Sequence, residues 1–401
     1  MKPLTLHLPP EDTFLHLVLK TAITFIAGHA GIDIHVEGTY CEVSAYDDRI
    51  LVKGFHELHE HLKEGAYGIE PWLPDADRRD RLGNLASVFN LNVKDIRVSN
   101  IIDRYINYVK ERATKEALIK ELSDALGKFY DDGYLNDTKL VNIPMLNRLS
   151  PEYMEALRVF GGAGLASVPT SLGFRRLTLG LHSTCLGLMG LWIAHTYSNG
   201  AVEYYIFPSL EAVKHKVSAK LLEQITKQSS NLMMNLKGRP FTSANVLALV
   251  TALSTAGAPP MARKYQAVIF MRGGRRVELI EGFTPLSIDK LHEFADILLE
   301  ICSQRDLDTV NKLIRIARMA LSKATGNITL DASLKICQNI VNATLGVVRF
   351  SDAVHVLARY SYAQENPDLA HRIGLTISDV DAISEALQRL ESRYQASLRF
   401  S

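Results

Sequence analysis

The 401-residue chain lacks most of the short motifs that mark catalytic proteins. It has no GxxxxGK[ST] phosphate loop and no GxGxxG dinucleotide fingerprint, so the common ATP and nicotinamide readings are excluded. No GxSxG supplies a nucleophile elbow. No histidine is followed by aspartate, which removes the HD dyad of one large class of metal-dependent nucleases and phosphohydrolases. No CxxC occurs. The four cysteines, Cys41, Cys185, Cys302 and Cys337, are far apart. That argues against a disulfide framework or a zinc ribbon and fits a reducing, cytoplasmic compartment. The start, MKPLTLHLPPEDTF, lacks the apolar core of a signal peptide. The most apolar later stretch, 177–194, carries His182, Ser183 and Thr184. It reads as a buried strand or core helix, not a membrane span. No catalytic residue, metal ligand or cofactor is expected on these grounds.

Aspartate is missing from one whole region, and that absence is informative. Net charge is +1 for the chain, yet residues 171–280 hold 13 Lys and Arg against 4 Glu and no Asp, a local +9. Residues 1–100 carry −5, 101–170 carry −1 and 281–401 carry −2. A neutral total thus hides one basic segment, and such asymmetry points to a polyanionic partner.

Hydrophobic residues make up 47% of the chain and charged residues 22%, a globular composition. The fold class expected is α+β and mostly helical. It comprises a small N-terminal α+β unit, a central β-hairpin and helix region, and a C-terminal helical bundle, with domains at 1–150, 151–285 and 286–401. LTLHL reads as a strand, followed by a helix entered through Pro9 and Pro10 and ending near Gly28 and Gly31. IDIHVEG, YCEVSAY and RILVKG read as short strands, and FHELHEHLKEG as a short helix. Apolar spacing predicts helix across 82–130 and a short helix opened by Ser150 and Pro151. Asn199-Gly200 and Gly273-Gly274 mark two hairpins, one joining LMGLWIAHTYS to AVEYYIF and the other KYQAVIFMR to RRVELIEGF. Helices are predicted at 209–236 and 243–255, then at 287–303, 306–324, 330–342, 350–363 and 378–397.

Several clusters invite a chemical reading. HELHEH, with His56, His59 and His61, suggests metal or acid–base work. HExxH is absent, however, and Phe55, Leu58 and Leu62 already make a core face, which leaves the histidines to solvent. Asp75, Asp77 and Asp80 interleave with arginines as a salt-bridged loop. Gly161, Gly162 and Gly164 fit an inter-domain turn. His182, Ser183 and Cys185 lie in apolar surroundings and read as small buried residues rather than a nucleophile with its base.

The basic segment carries the strongest signal. Its charges come as Arg175 and Arg176, Lys214 and Lys216, Lys237 and Arg239, Arg263 and Lys264, and Arg272 with Arg275 and Arg276. Several fall at hairpin ends or in loops such as KGRP, where glycine allows close backbone approach and arginine grips phosphate or guanine bidentately. Tyr197, Tyr204, Tyr205 and Tyr265 offer stacking surfaces nearby. Nucleic-acid contact is the expectation; the alternative is that these charges pair with acidic faces of flanking domains or of a protein partner.

This layout resembles the large subunit of archaeal type I-A CRISPR surveillance (Cascade-like) complexes. The stretches that carry the likeness are LTLHLPPEDTFLHLVLKTAI, FGGAGLASVPTSLGF, NLKGRPFTSANVLALVTAL and PLSIDKLHEFADILLEI. The resemblance implies a non-enzymatic subunit in antiviral defence. It would take part in recognising the protospacer-adjacent motif on target double-stranded DNA, lie near the CRISPR RNA handle, and partner the other subunits of the effector complex, with no membrane. Sequence reading would be delegated to guide pairing. A scaffold that docks an acidic protein, and a metal-dependent hydrolase using HELHEH or DADRRD, are the competing expectations.

Overall fold

The computed structural model describes residues 3–8, 14–71, 89–92, 97–126, 167–170, 173–176, 181–209, 217–240, 243–273, 276–285, 289–321, 327–361 and 367–398. They are mostly helical with small antiparallel sheets, as the composition leads one to expect. The chain forms two compact units, Met1–Met234 with Gln266–Thr284, and Asn235–Tyr265 with Pro285–Ser401. These bounds divide the basic segment between the units, and the break before Pro285 falls beside the expected start of the C-terminal bundle at 286.

The first unit is organised on α1 (Phe14–Ala30), in which 15 of 17 residues are buried. A helix apolar all round has no solvent face and must be enclosed. Glycine makes the enclosure close. A Cβ on Gly54, in α2 (Asp48–Lys63), would stand 2.3 Å from the Ile26 carbonyl oxygen. A Cβ on Gly190, in α5 (Leu181–Ala194), would stand 2.0 Å from that of Val18. Gly28 of α1 in turn admits Thr226 of α6 (Ala219–Leu236). Beside α1 lies the sheet β1 (Leu4–His7), β3 (Tyr40–Val43), β2 (Ile34–Glu37), antiparallel throughout. Asp33 and Ile34 anchor α6: Ile34 and Val217 exchange backbone hydrogen bonds, and Asp33 Oδ1 accepts from the Ala219 N–H at 2.9 Å.

Two helices follow, α3 (Val98–Thr114) and α4 (Leu118–Leu126). Asp48 caps α4 from a distance, its carboxylate accepting from the Leu118 and Ile119 N–H groups at 2.8 and 3.0 Å. A second sheet has the order β6 (His195–Ser198), β7 (Val202–Pro208), β8 (Tyr265–Gly273), β9 (Arg276–Pro285). β4 (Ser167–Thr170) and β5 (Gly173–Arg176) pair separately.

Some expectations need correction. RILVKG is the opening of α2, not a strand, because the Asp47 side chain caps that helix at the Arg49 N–H. LMGLWIA ends α5, and strand begins only at His195. The 82–130 stretch is no single helix: residues 89–92 are irregular, Asn90 has φ 53° and Glu116 φ 50°. α6 begins at Ala219 rather than 209, because Val217 is committed to its bridge with Ile34. The helix expected at Ser150 and Pro151 lies outside the described residues.

The second unit repeats the principle on α7 (Ala244–Ser254), buried from Val246 to Leu253 and capped by Ser243. Against it pack α8 (Asp289–Arg305), α9 (Thr309–Ala320) and α10 (Ile328–Thr344), and α11 (Phe350–Ser361), α12 (Pro367–Ile373) and α13 (Ile377–Leu398) complete the unit. α12 was unforeseen; Pro367 opens it instead of serving only as a connection. Asp379 ties α9 to α13. Its carboxylate accepts from Thr309 Oγ1, Lys312 Nζ and the Thr376 N–H at 2.7, 2.6 and 2.7 Å, while Thr376 Oγ1 accepts from the Asp379 N–H. This is a reciprocal capping box. Burial favours the neutral acid, but these donors outweigh it and hold the carboxyl below its ordinary range.

Two outcomes test this account. Gly190→Ala and Gly54→Ala should each destabilise by about 1–3 kcal/mol through overpacking against backbone, and calorimetric melting of each variant reads it. An unchanged midpoint for Gly190→Ala would refute the close approach. Asp379→Ala should cost about 2–4 kcal/mol, whereas the same change at exposed Asp381 should leave the transition within error.

Candidate functional site

The basic residues fall into separate groups. Arg175 and Arg176 end β5, opposite Val168 and Ser167 of β4. Arg272 is next to last in β8 and Arg276 is first in β9, so the strand pair brings them together; Gly273 ends β8, while Arg275 lies outside the described residues. Lys214 and Lys216 lie outside as well. So do Asp75, Asp77 and Asp80, and Gly161, Gly162 and Gly164.

Lys237, Arg239, Arg263 and Lys264 belong to the second unit. Lys237 follows α6 directly, and Gly238 takes φ +71° so that Arg239 N–H reaches the Leu236 carbonyl. Arg239 Nη1 donates to the Arg318 carbonyl at 3.2 Å. Arg263 is held more firmly: Nη1 donates to Asp296 Oδ2 at 2.7 Å, Nε donates to the Ala258 carbonyl, and Asp296 Oδ1 takes the Gly257 N–H at 2.7 Å. With only 11% of its side chain exposed, Arg263 locks a turn onto α8 and leaves the candidate interface. Lys264 beside it is exposed.

The tyrosines divide in the same way. Tyr197 and Tyr204 face each other across the β6–β7 hairpin at 5.4 Å, both half-buried. Tyr205 and Tyr265 are core residues, at 0% and 1% exposure, and cannot serve as stacking platforms. Tyr205 stacks on His195 and lies edge-on to Phe14 of α1.

The HELHEH histidines are not all on the solvent side. His56 is exposed, but His59 is buried at 4% and His61 is half-buried. His59 sits four residues after Phe55, within reach of the core face, where α3 covers it. Its Nε2 is 2.9 Å from Asp103 Oδ1, out of line for a hydrogen bond. Lys63 Nζ also lies 2.9 Å from that oxygen. His61 Nδ1 donates to the Glu57 carbonyl, and its ring stands 4.7 Å from His29, which bonds Tyr67 Oη at 2.9 Å.

His182, expected among small buried residues, is the centre of a polar network. Its Nδ1 bonds Tyr105 Oη at 2.8 Å and its Nε2 donates to Glu121 Oε1 at 3.2 Å. Tyr108 Oη donates to the same carboxylate, and Arg112 Nε lies 3.0 Å from Glu121 Oε2. The His182 bond, joined by Tyr108 and Arg112, holds Glu121 below its ordinary pKa against the effect of burial. A second buried pair, His195 Nε2 to Glu203 Oε2 at 2.5 Å with Ser198 on Oε1, secures the β6–β7 hairpin. Sequence reading missed both networks, because their partners lie on other elements or across a hairpin and no spacing announces them. All four cysteines are buried, and burial pushes the thiols of Cys41 and Cys337 up to about 12. Burial raises the Cys185 thiol well above its ordinary range, which disfavours the thiolate.

No protein-family model matches the chain, and no curated protein matches it either.

Acid sensitivity follows from the buried imidazoles. Burial, with His61 adding to it, lowers His29 to about 4; burial, with Arg263 adding to it, lowers His292 to about 4. A histidine whose folded pKa lies below its unfolded value near 6.5 favours folding less as pH falls between those two values. The melting midpoint should therefore drop from pH 7 to pH 5, and His29→Gln or His292→Gln should flatten the slope. A midpoint independent of pH over that range contradicts the lowered pKa of both rings.

Proposed function

We propose that this chain is a nucleic-acid-binding subunit without chemistry of its own, serving as the large subunit of a type I CRISPR effector. Its work is contact with target double-stranded DNA, including the protospacer-adjacent motif, and with CRISPR RNA. One observation carries the reading: the arginines that the sequence pairs across Gly273-Gly274 belong to the ends of two adjacent strands of 9 and 10 residues. The two strands are the edge pair of a four-stranded sheet, and arginine at their turn is the side chain best suited to guanine and phosphate. Arg175 and Arg176 lie at the end of β5 away from its turn with β4 and do not repeat the arrangement.

A docking scaffold for an acidic protein is the second reading. The exposed Lys264, next to Arg263, is a basic-segment charge that such a partner would meet. Pull-down after complete nuclease treatment separates the readings: a retained protein partner supports the scaffold.

Duplex binding by the full chain should weaken on the order of a thousandfold between 50 and 200 mM salt if about six phosphates are contacted. Replacing Arg272, Arg275 and Arg276 together by alanine should lower the slope of log affinity against log salt by about 2–3. Binding that is absent, or indifferent to salt, sinks the proposal; an unchanged slope in the triple variant removes this hairpin as the reader.

A further inference from the structure

Two stretches of the second unit hold no acidic residue at all. Residues 235–265 carry Lys237, Arg239, Arg263 and Lys264, and α9 carries Lys312, Arg315 and Arg318. α7, within the first stretch, packs against α9. Carboxylates from elsewhere engage two of these cations. Asp296 holds Arg263, and Asp379 holds Lys312.

Three of the remaining cations gather on the outer side of α9. Leu313, Ile316, Ala317 and Ala320 are among its buried residues. Asn311, Arg315 and Arg318 follow one another at i, i+4 and i+7, a single stripe opposite that face. The first two are exposed and Arg318 is half-buried. Arg239 joins them, because its Nη1 donates to the Arg318 carbonyl at 3.2 Å and brings the KGRP loop to the last turn of α9. Arg315 donates to the Ile373 carbonyl.

A carbonyl fixes a guanidinium in place without cancelling its charge, and arginine stays protonated in proteins. Like charges are therefore held close together. Burial, and after it the charge of Arg318, keep Arg239 below its ordinary pKa. An anion lodged between them relieves that repulsion. Spacing narrows the choice of anion. Arg315 and Arg318 are three residues apart, about 4.5 Å along the helix axis, of the same order as the ~3.4 Å between charges along one nucleic-acid strand. A row of cations on an outer stripe suits a chain of phosphates. Arg239 and Arg315 each spend a donor on a main-chain carbonyl, which leaves fewer for the bidentate reading of a guanine edge.

We propose that the face of Arg239, Arg315 and Arg318 in the second unit grips the sugar-phosphate backbone of nucleic acid and reads no base. The assignment rests on the nucleic-acid reading above and gives it a second contact, apart from the hairpin of Arg272 and Arg276. Arg315 and Arg318 lie outside the basic segment 171–280, so segment charge could not reveal them.

Duplexes of two unrelated sequences, titrated into the full chain at several salt concentrations, test it. Changing Arg239, Arg315 and Arg318 together to glutamine should lower the slope of log affinity against log salt by about 2–3, equally for both sequences. The corresponding lysine variant keeps the charges and should retain the wild-type slope. Glutamine at three exposed arginines elsewhere, Arg49, Arg349 and Arg359, should leave the slope unchanged. In the wild-type chain, bound duplex should slow the modification of Arg315 by phenylglyoxal, read by peptide mass spectrometry; that readout stands even if the glutamine variant fails to fold. An unchanged slope in the glutamine variant, a loss confined to one sequence, an equal loss in the control variant, or an unprotected Arg315 would each overturn this face while the nucleic-acid reading stands. A wild-type chain that binds neither duplex overturns that reading and this face with it.

Discussion

Backbone contact through glycine around α1 is the constraint on which the first unit depends. Gly54 and Gly190 bring two helices against its carbonyls, and Gly28 admits a third. Nothing larger fits at the first two, so helix positions follow from the absence of a side chain rather than from its shape. Interiors packed to crystal density do not absorb a methyl group at such distances. Once α2 and α5 are fixed against α1, the rest is placed. α3 lies along α2, and α5 carries His182 to Tyr105 and Glu121. α1 also seats β7, whose Tyr205 and Phe207 meet Phe14 edge-on.

Polar groups inside this unit are tied to one another. Asp33 and Asp48 cap helices that begin far along the chain, at Ala219 and Leu118. Glu121 collects His182, Tyr108 and Arg112, and Glu203 collects His195 and Ser198. Networks with every member satisfied specify one arrangement of the elements that contribute to them. Thr21 and Thr184 depart from that rule, their buried hydroxyls making no hydrogen bond among the described residues. Asp379 gives the second unit the same kind of anchor.

Much of this was legible in advance. Asn199-Gly200 marked its hairpin, with Gly200 at φ +80° and Asn199 Oδ1 taking two N–H groups. The C-terminal helices followed from apolar spacing, and Phe55, Leu58 and Leu62 were rightly the core face of α2. What failed did so for physical reasons. RILVKG has strand-forming residues, but an aspartate cap and the face it shares with HELHEH override that propensity. The surroundings of His59 depend on α3, some forty residues away, and periodicity within α2 carries no record of what covers it. For the basic segment, charge was readable residue by residue, while the engagement of Arg263 by Asp296 was not.

The enclosure of α1 has a consequence in time. α1 lies near the start of the chain, yet the glycine that receives Val18 is residue 190. Synthesis at 5–20 residues per second leaves on the order of ten seconds between the two. Throughout that interval the apolar residues of α1 have no α5 to cover them. Until α5 emerges, the apolar residues of α1 lack the partner that Gly190 brings against Val18.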